Sequence, residues 1–153
     1  MTSKFKVFYA AVPAYRIQFH VPMPFSVESL PVTHRHVLDL DAESRDAVYL
    51  AMQGENWSPN GEAMDLLISL GLNHTSMSVG DVVRDDEGVY WMCDSFGWSR
   101  VPDTLEPAEQ DSLANELEAE LGSLFRRGAP FSPAESKMGG RLTAWRNALK
   151  EAA

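Results

Sequence analysis

Hydrophobic and polar positions alternate with a period of two near the start of the chain and recur with a helical period near its end. Phe5, Val7 and Tyr9 alternate with Lys4, Lys6 and Phe8, which predicts a strand over residues 4–12. Tyr15, Ile17 and Phe19 alternate with Arg16, Gln18 and His20, which predicts a short strand over 15–21. Pro22, Pro24 and Pro31 make 22–31 a loop, because proline cannot donate to a central ladder. Val37, Leu38 and Leu40 mark a strand over 33–40. Asp41 suits the N-cap of a helix over 42–53, with Ala47, Val48, Ala51 and Met52 inward and Gly54 as its stop. Met64, Leu67 and Ile68 predict a short helix over 61–70, ended by Gly71.

The densest pattern runs from Thr75 to Val101. Small hydroxyl residues lead into Val79-Gly80-Asp81-Val82-Val83, a turn entering a strand. Asp85-Asp86-Glu87-Gly88 is a polar turn with glycine where positive φ is needed. Val89 to Cys93 is a second strand and Ser95-Phe96-Gly97 turns into a third, so strands are expected at 79–84, 89–93 and 98–101. After Pro102 the period becomes helical. Leu113, Leu117, Leu121 and Leu124 form one stripe, with acidic residues early and Arg126-Arg127 at the end, as the helix dipole favours. Ser132-Pro133-Ala134-Glu135 is a capping box opening a last helix with Met138, Leu142, Trp145 and Leu149 inward. Gly139-Gly140 weakens it by roughly 1 kcal/mol per glycine. The expected fold is α+β: a mainly antiparallel sheet with two packed helices over residues 1–101, and a helical hairpin over 102–153 packed on the same core.

Composition narrows function. The 153 residues carry a formal net charge of −9 and a pI of about 4.8. Such a surface disfavours direct binding to nucleic acid or anionic membrane and suits a basic partner. Acidity also keeps small proteins dissolved, which is its ordinary role. The single cysteine, Cys93, can form no internal disulfide, and the expected compartment is the cytoplasm. In an apolar strand it reads as a structural thiol. The N-terminal residues lack the apolar core of a signal peptide, and no run of about 18 apolar residues predicts a membrane span.

No catalytic motif of high specificity is present. His34 and His36 share a strand face, and with Asp39 they are the best enzyme candidate, for a hydrolase or transferase. His20, His34, His36, Asp39 and Asp41 could suggest a metal, but His-x-His alone falls short of three or four converging ligands. His74, Ser76, Ser78 and Asp81 hold the letters of a hydrolytic triad within eight residues, whereas triads assemble from distant segments. Their ordinary role is to bond backbone groups and shape the turn. Neither cofactor nor metal is expected. Trp91 and Trp145 read as core, whereas Trp57 and Trp98 sit in or beside loops, as contact anchors or as packing under the proline-rich loop.

The run His74 to Val83, then Gly88-Val89-Tyr90-Trp91 and Phe96-Gly97-Trp98, resembles the YodL-like group of small proteins, which share an S-x-S-V-x-D-V-V block, a hairpin and a Gly-aromatic turn. The resemblance covers at most residues 36–101, and His74-Thr75 stands where the group has an arginine. It implies a plasmid, phage or other mobile element as genomic company and carries no catalytic residue. The expected function is a small acidic binding protein that inhibits a host defence complex (CRISPR or restriction) by occupying its basic nucleic-acid-binding surface. The expected partner-binding residues are Glu109, Glu116 and Glu120 on one flank of the first C-terminal helix, Asp85, Asp86 and Glu87 at the hairpin tip, and Trp57 and Trp98. The alternatives are the enzyme above and a self-associating module that dimerises through the C-terminal hairpin.

Overall fold

The computed structural model describes residues 1–12, 15–16, 21–22, 24–126, 130 and 132–152. Among these the fold is α+β. The chain divides into two compact units, Met1–Pro22 with His34–Val101, and Met23–Thr33 with Pro102–Ala153.

The first unit is built on a five-stranded antiparallel sheet. Its strands are β1 (Ser3–Ala10), β4 (His34–Ala42), β5 (Val82–Arg84), β6 (Tyr90–Asp94) and β7 (Gly97–Arg100), in the order β4-β1-β5-β6-β7. The two-residue strands β2 (Tyr15–Arg16) and β3 (Val21–Pro22) pair separately. Of the single strand expected over 15–21, the described parts are two short strands that pair antiparallel with each other; residues 17–20, with His20, lie outside the described residues. Phe5, Val7 and Tyr9 of β1 are buried as the alternation predicts, with Val7 and Tyr9 fully so. They meet Val48 and Met52 from α2 (Arg45–Ala51) and its C-terminus, Leu67 from α4 (Met64–Ser69), and Met77 and Val83. Burying each such aliphatic side chain is worth about 1.5–3 kcal/mol.

Strand β4 holds a bulge. Val7 pairs with Leu38 and Phe8 with His36, so Val37 has no partner. A regular strand would send the adjacent Val37 and Leu38 to opposite faces; the extra residue lets both pack on one core. The strand also runs past Asp41, which pairs with Lys4. The helix N-cap is therefore Ser44, not Asp41, and its Oγ accepts from the Ala47 amide at 3.1 Å. Gly54, expected to stop a helix, instead begins a further four-residue helix, α3 (Gly54–Trp57).

The second unit pairs two 20-residue helices, α5 (Pro107–Arg126) and α6 (Pro133–Ala152). Leu113, Leu117 and Leu121 are buried on the first, and Leu142, Trp145 and Leu149 on the second. The expected capping box is present: the Glu135 amide donates to Ser132 Oγ and the Ser132 amide to Glu135 Oε1, both at 3.1 Å. The proline-rich loop expected at 22–31 is partly helical. A 3-10 turn (Val27–Ser29) runs into α1 (Leu30–Thr33). Pro31 is tolerated in that first helical turn, where no donor is lost. The Val27 and Glu28 amides donate to the Pro102 and Asp103 carbonyls and tie the segment to the start of this unit's second stretch.

Candidate functional site

The block from His74 to Asp81 is the fixed support for everything around it. Asp81 has no exposed surface. Its Oδ1 accepts from the Ala10 amide at 2.8 Å, and its Oδ2 accepts from the Ser78 amide and from His74 Nε2, both at 2.9 Å. His74 stacks on Tyr9, with ring centroids 4.6 Å apart. The Tyr9 hydroxyl and Trp57 Nε1 both donate to the Thr75 carbonyl, at 2.7 and 3.0 Å. Ser76 Oγ accepts from the Gly54 amide at 2.8 Å. Gly80 holds φ at 95°, a region that favours glycine, and its carbonyl accepts from His34 Nε2 at 2.7 Å. Asp81 and the Ser76 hydroxyl thus bond backbone groups, as the sequence suggested, while the Ser78 hydroxyl lies 3.5 Å from Asp81 Oδ2.

A cleft of about 470 Å³ opens elsewhere on this unit, where Ser3 and Phe5 of β1, the start of α2 and the β5–β6 turn come together. One wall is the β5–β6 turn. There Asp85 Oδ1 accepts from the Glu87 and Val89 amides, and Asp85 Oδ2 accepts from Trp91 Nε1 at 3.0 Å. Partial burial pushes the Asp85 carboxyl up, but the indole, the two amides and nearby Arg45 outweigh it and hold the group below the usual carboxylate value. The opposite wall is the start of α2, set by the Ser44 cap. Its Arg45 guanidinium lies 3.9 Å from the centroid of the Trp91 ring, and its Asp46 Oδ1 accepts from Trp98 Nε1 at 3.0 Å. Trp91 and Trp98 share a sheet face, because Cys93 pairs with Trp98 and Trp91 lies two residues before Cys93.

The cleft therefore gathers Asp85, Asp86, Glu87 and Trp98, four of the residues singled out in the sequence, and adds Glu43, Arg45, Asp46 and Trp91. Five carboxylates face one guanidinium, so the lining is net negative. No three acidic, histidine or cysteine side chains among the described residues converge to hold a metal ion. The Glu43-Ser44-Arg45-Asp46 run carried a readable signal, a serine cap with an acidic first turn. Its place in the cleft comes from tertiary contacts, Asp46 with Trp98 52 residues away and Arg45 over Trp91.

Other expectations resolve differently. Trp57 is half-buried against the core, and its Nε1 donates to the Thr75 carbonyl. Trp91, read as core, packs against the core with one side and lines the cleft with the other. Glu109 and Glu120 are exposed and Glu116 is half-buried on α5, in the second unit. His34 is buried against Gly80, whereas His36 is exposed and donates to Asp39 Oδ1 at 2.6 Å. The bulge at Val37 explains that last contact, because it puts residues three apart on one sheet face. The His36 bond, aided by Lys6, holds the Asp39 carboxyl below its usual value. His34 thus anchors the Gly80 backbone, whereas His36 and Asp39 form a surface pair. The Cys93 thiol is buried, and burial together with Asp81 and Asp94 pushes it up to about 11, so it is a poor nucleophile.

No helix among the described residues is long and apolar enough to cross a membrane. Comparison with protein-family models, curated proteins and solved structures gave no match.

Proposed function

We propose that the protein is a non-enzymatic binding protein that engages a basic surface of a protein partner. The observation that carries this reading is the cleft, where five carboxylates and two indoles line one opening. Carboxylates attract and orient a cationic partner, and indoles supply the desolvated contact area that charge alone lacks. The acidic row Glu109, Glu116 and Glu120 on α5 extends the same chemistry to the second unit. A basic surface that complements such a pattern is the kind that otherwise holds phosphates. A host nucleoprotein defence complex is the partner class, in keeping with the resemblance to proteins of mobile elements, and inhibition of that complex is the biological outcome.

The test is competition. CRISPR effector and restriction complexes would be loaded with labelled nucleic acid and challenged with the full chain at low and high salt. Displacement at low salt that fades by roughly tenfold or more at high salt is the expected result. Two charge-reversed variants separate the hairpin turn from the helix. The first is Asp86→Lys with Glu87→Lys, and the second is Glu109→Lys with Glu116→Lys and Glu120→Lys. Each should weaken displacement while circular dichroism stays unchanged. Failure to displace nucleic acid from any such complex at low salt would sink the reading.

A further inference from the structure

We infer that the cleft between the start of α2 and the β5–β6 turn receives an arginine side chain of the partner, with Trp98 as stacking platform and Glu43, Asp86 and Glu87 as the carboxylates that meet the guanidinium. The inference rests on the partner-binding reading above and adds its specificity.

Charge comes first. With Arg45 counted against five carboxylates, the cleft attracts a cation and repels phosphate or carboxylate. A metal ion is a poor occupant, because no three ligands among the described residues converge at one point. The acidic groups instead spread around an opening of about 470 Å³, which suits a broad organic cation. Among the described residues, no hydrogen bond or ion pair engages the carboxylates of Glu43, Asp86 or Glu87, so they are open to a ligand.

The indoles then separate arginine from lysine. The unit already holds one guanidinium in this setting: Arg45 lies over Trp91 at 3.9 Å, beside Asp85. That contact occupies Trp91 and leaves Trp98 as the indole for an incoming group. Trp98 is pre-set for the task, since Asp46 fixes its Nε1 edge while one side packs on the core. A planar, weakly hydrated guanidinium can stack on the ring and keep its N–H groups directed at carboxylates around the rim. A strongly hydrated ammonium gains less from both. The exposed turn at Asp86-Glu87 supplies carboxylates without ordering a new segment, because Asp85 already bonds the Glu87 and Val89 amides.

The experiment titrates the full chain, at low salt, with two peptides of equal length and charge. One repeats Arg-Gly and the other Lys-Gly, and indole N–H resonances report binding. The arginine peptide should bind about two- to fivefold tighter for an exposed cation–π contact, and should move the Trp98 resonance. Trp98→Leu should erase the preference. Asp86→Asn with Glu87→Gln, on an exposed turn that leaves the core untouched, should weaken the arginine peptide and keeps the test alive if Trp98→Leu does not fold. Equal affinities with an unmoved Trp98 resonance would overturn the inference, as would an arginine preference that survives in folded Trp98→Leu or an arginine-peptide affinity that is unchanged in Asp86→Asn with Glu87→Gln. If both peptides bind equally and reversal of Glu109, Glu116 and Glu120 abolishes binding, the arginine site is wrong and the basic-partner reading stands. If neither peptide binds, both readings fall.

Discussion

Asp81 is a carboxylate with no exposed surface, and it is held there by two backbone amides and one imidazole. Its ordinary reading in the sequence, as an acceptor of turn amides, covers the Ser78 bond. The Ala10 amide and His74 ring were not legible, because one arrives from 71 residues away and the other requires the turn to fold back on itself. Replacement by alanine leaves buried donors without an acceptor, so Asp81→Ala should cost about 3–5 kcal/mol in denaturant unfolding. A loss under about 1 kcal/mol would show that water reaches those amides. The Thr75 carbonyl gives a subtler test, since it accepts from both the Tyr9 hydroxyl and Trp57 Nε1. Tyr9→Phe leaves the second donor in place and should cost about 1 kcal/mol. Joined to Trp57→Phe it leaves the carbonyl bare, so the double variant should lose about 1 kcal/mol more than the two singles added together. Simple additivity would show that the two bonds are independent.

Element boundaries followed from local chemistry wherever the chemistry was local. The Ser132 capping box, Pro133, the leucine stripe of α5 and the glycine at the β5–β6 turn, with φ at 84°, are set by neighbours within four residues. The start of α2 was misplaced because Asp41 is as good a cap as Ser44 by residue type alone. Pairing of Asp41 with Lys4 keeps the strand going and leaves the cap to serine. The two glycines of α6 illustrate what packing adds. A Cβ on Gly140 would meet nothing within 4 Å, so Gly140→Ala should raise stability by about 0.5–1 kcal/mol through helix propensity. A Cβ on Gly139 would lie 3.2 Å from Leu124 Cδ2, so that methyl must shift and Gly139→Ala should gain clearly less or lose. Thermal unfolding of the two single variants checks the order, and equal gains would mean that Leu124 yields freely.

At the scale of the whole molecule, the antiparallel α+β class was legible because strand and helix periods occupy separate stretches of the chain. The cleft was legible only in halves: its hairpin carboxylates and Trp98 stood out as a charge cluster and a loop indole. Its α2 wall did not, since only tertiary pairing sets Arg45 and Asp46 against them. Whole-molecule charge also bears on acid stability, where His34 works against it. Burial holds the His34 imidazole below its ordinary value of 6.5, and Arg35 adds to that, while the bond to the Gly80 carbonyl and the Asp81 charge oppose it. The carbonyl can only accept, so Nε2 carries the proton of the neutral ring. A depressed histidine favours folding while both states are neutral, above about pH 6.5. As pH falls from there toward the lower folded value, the unfolded chain takes up a proton that the folded chain refuses, and stability declines. The net charge of −9 acts in the other sense, because acidification relieves self-repulsion. Salt near 1 M, with a screening length of about 3 Å, suppresses the repulsion and isolates the histidine. Under that condition unfolding free energy should fall between about pH 7 and 5, and the drop should vanish in His34→Gln, which keeps a donor for the Gly80 carbonyl. A His34 ring that titrates at or above 6.5 by nuclear magnetic resonance would contradict the argument at its root.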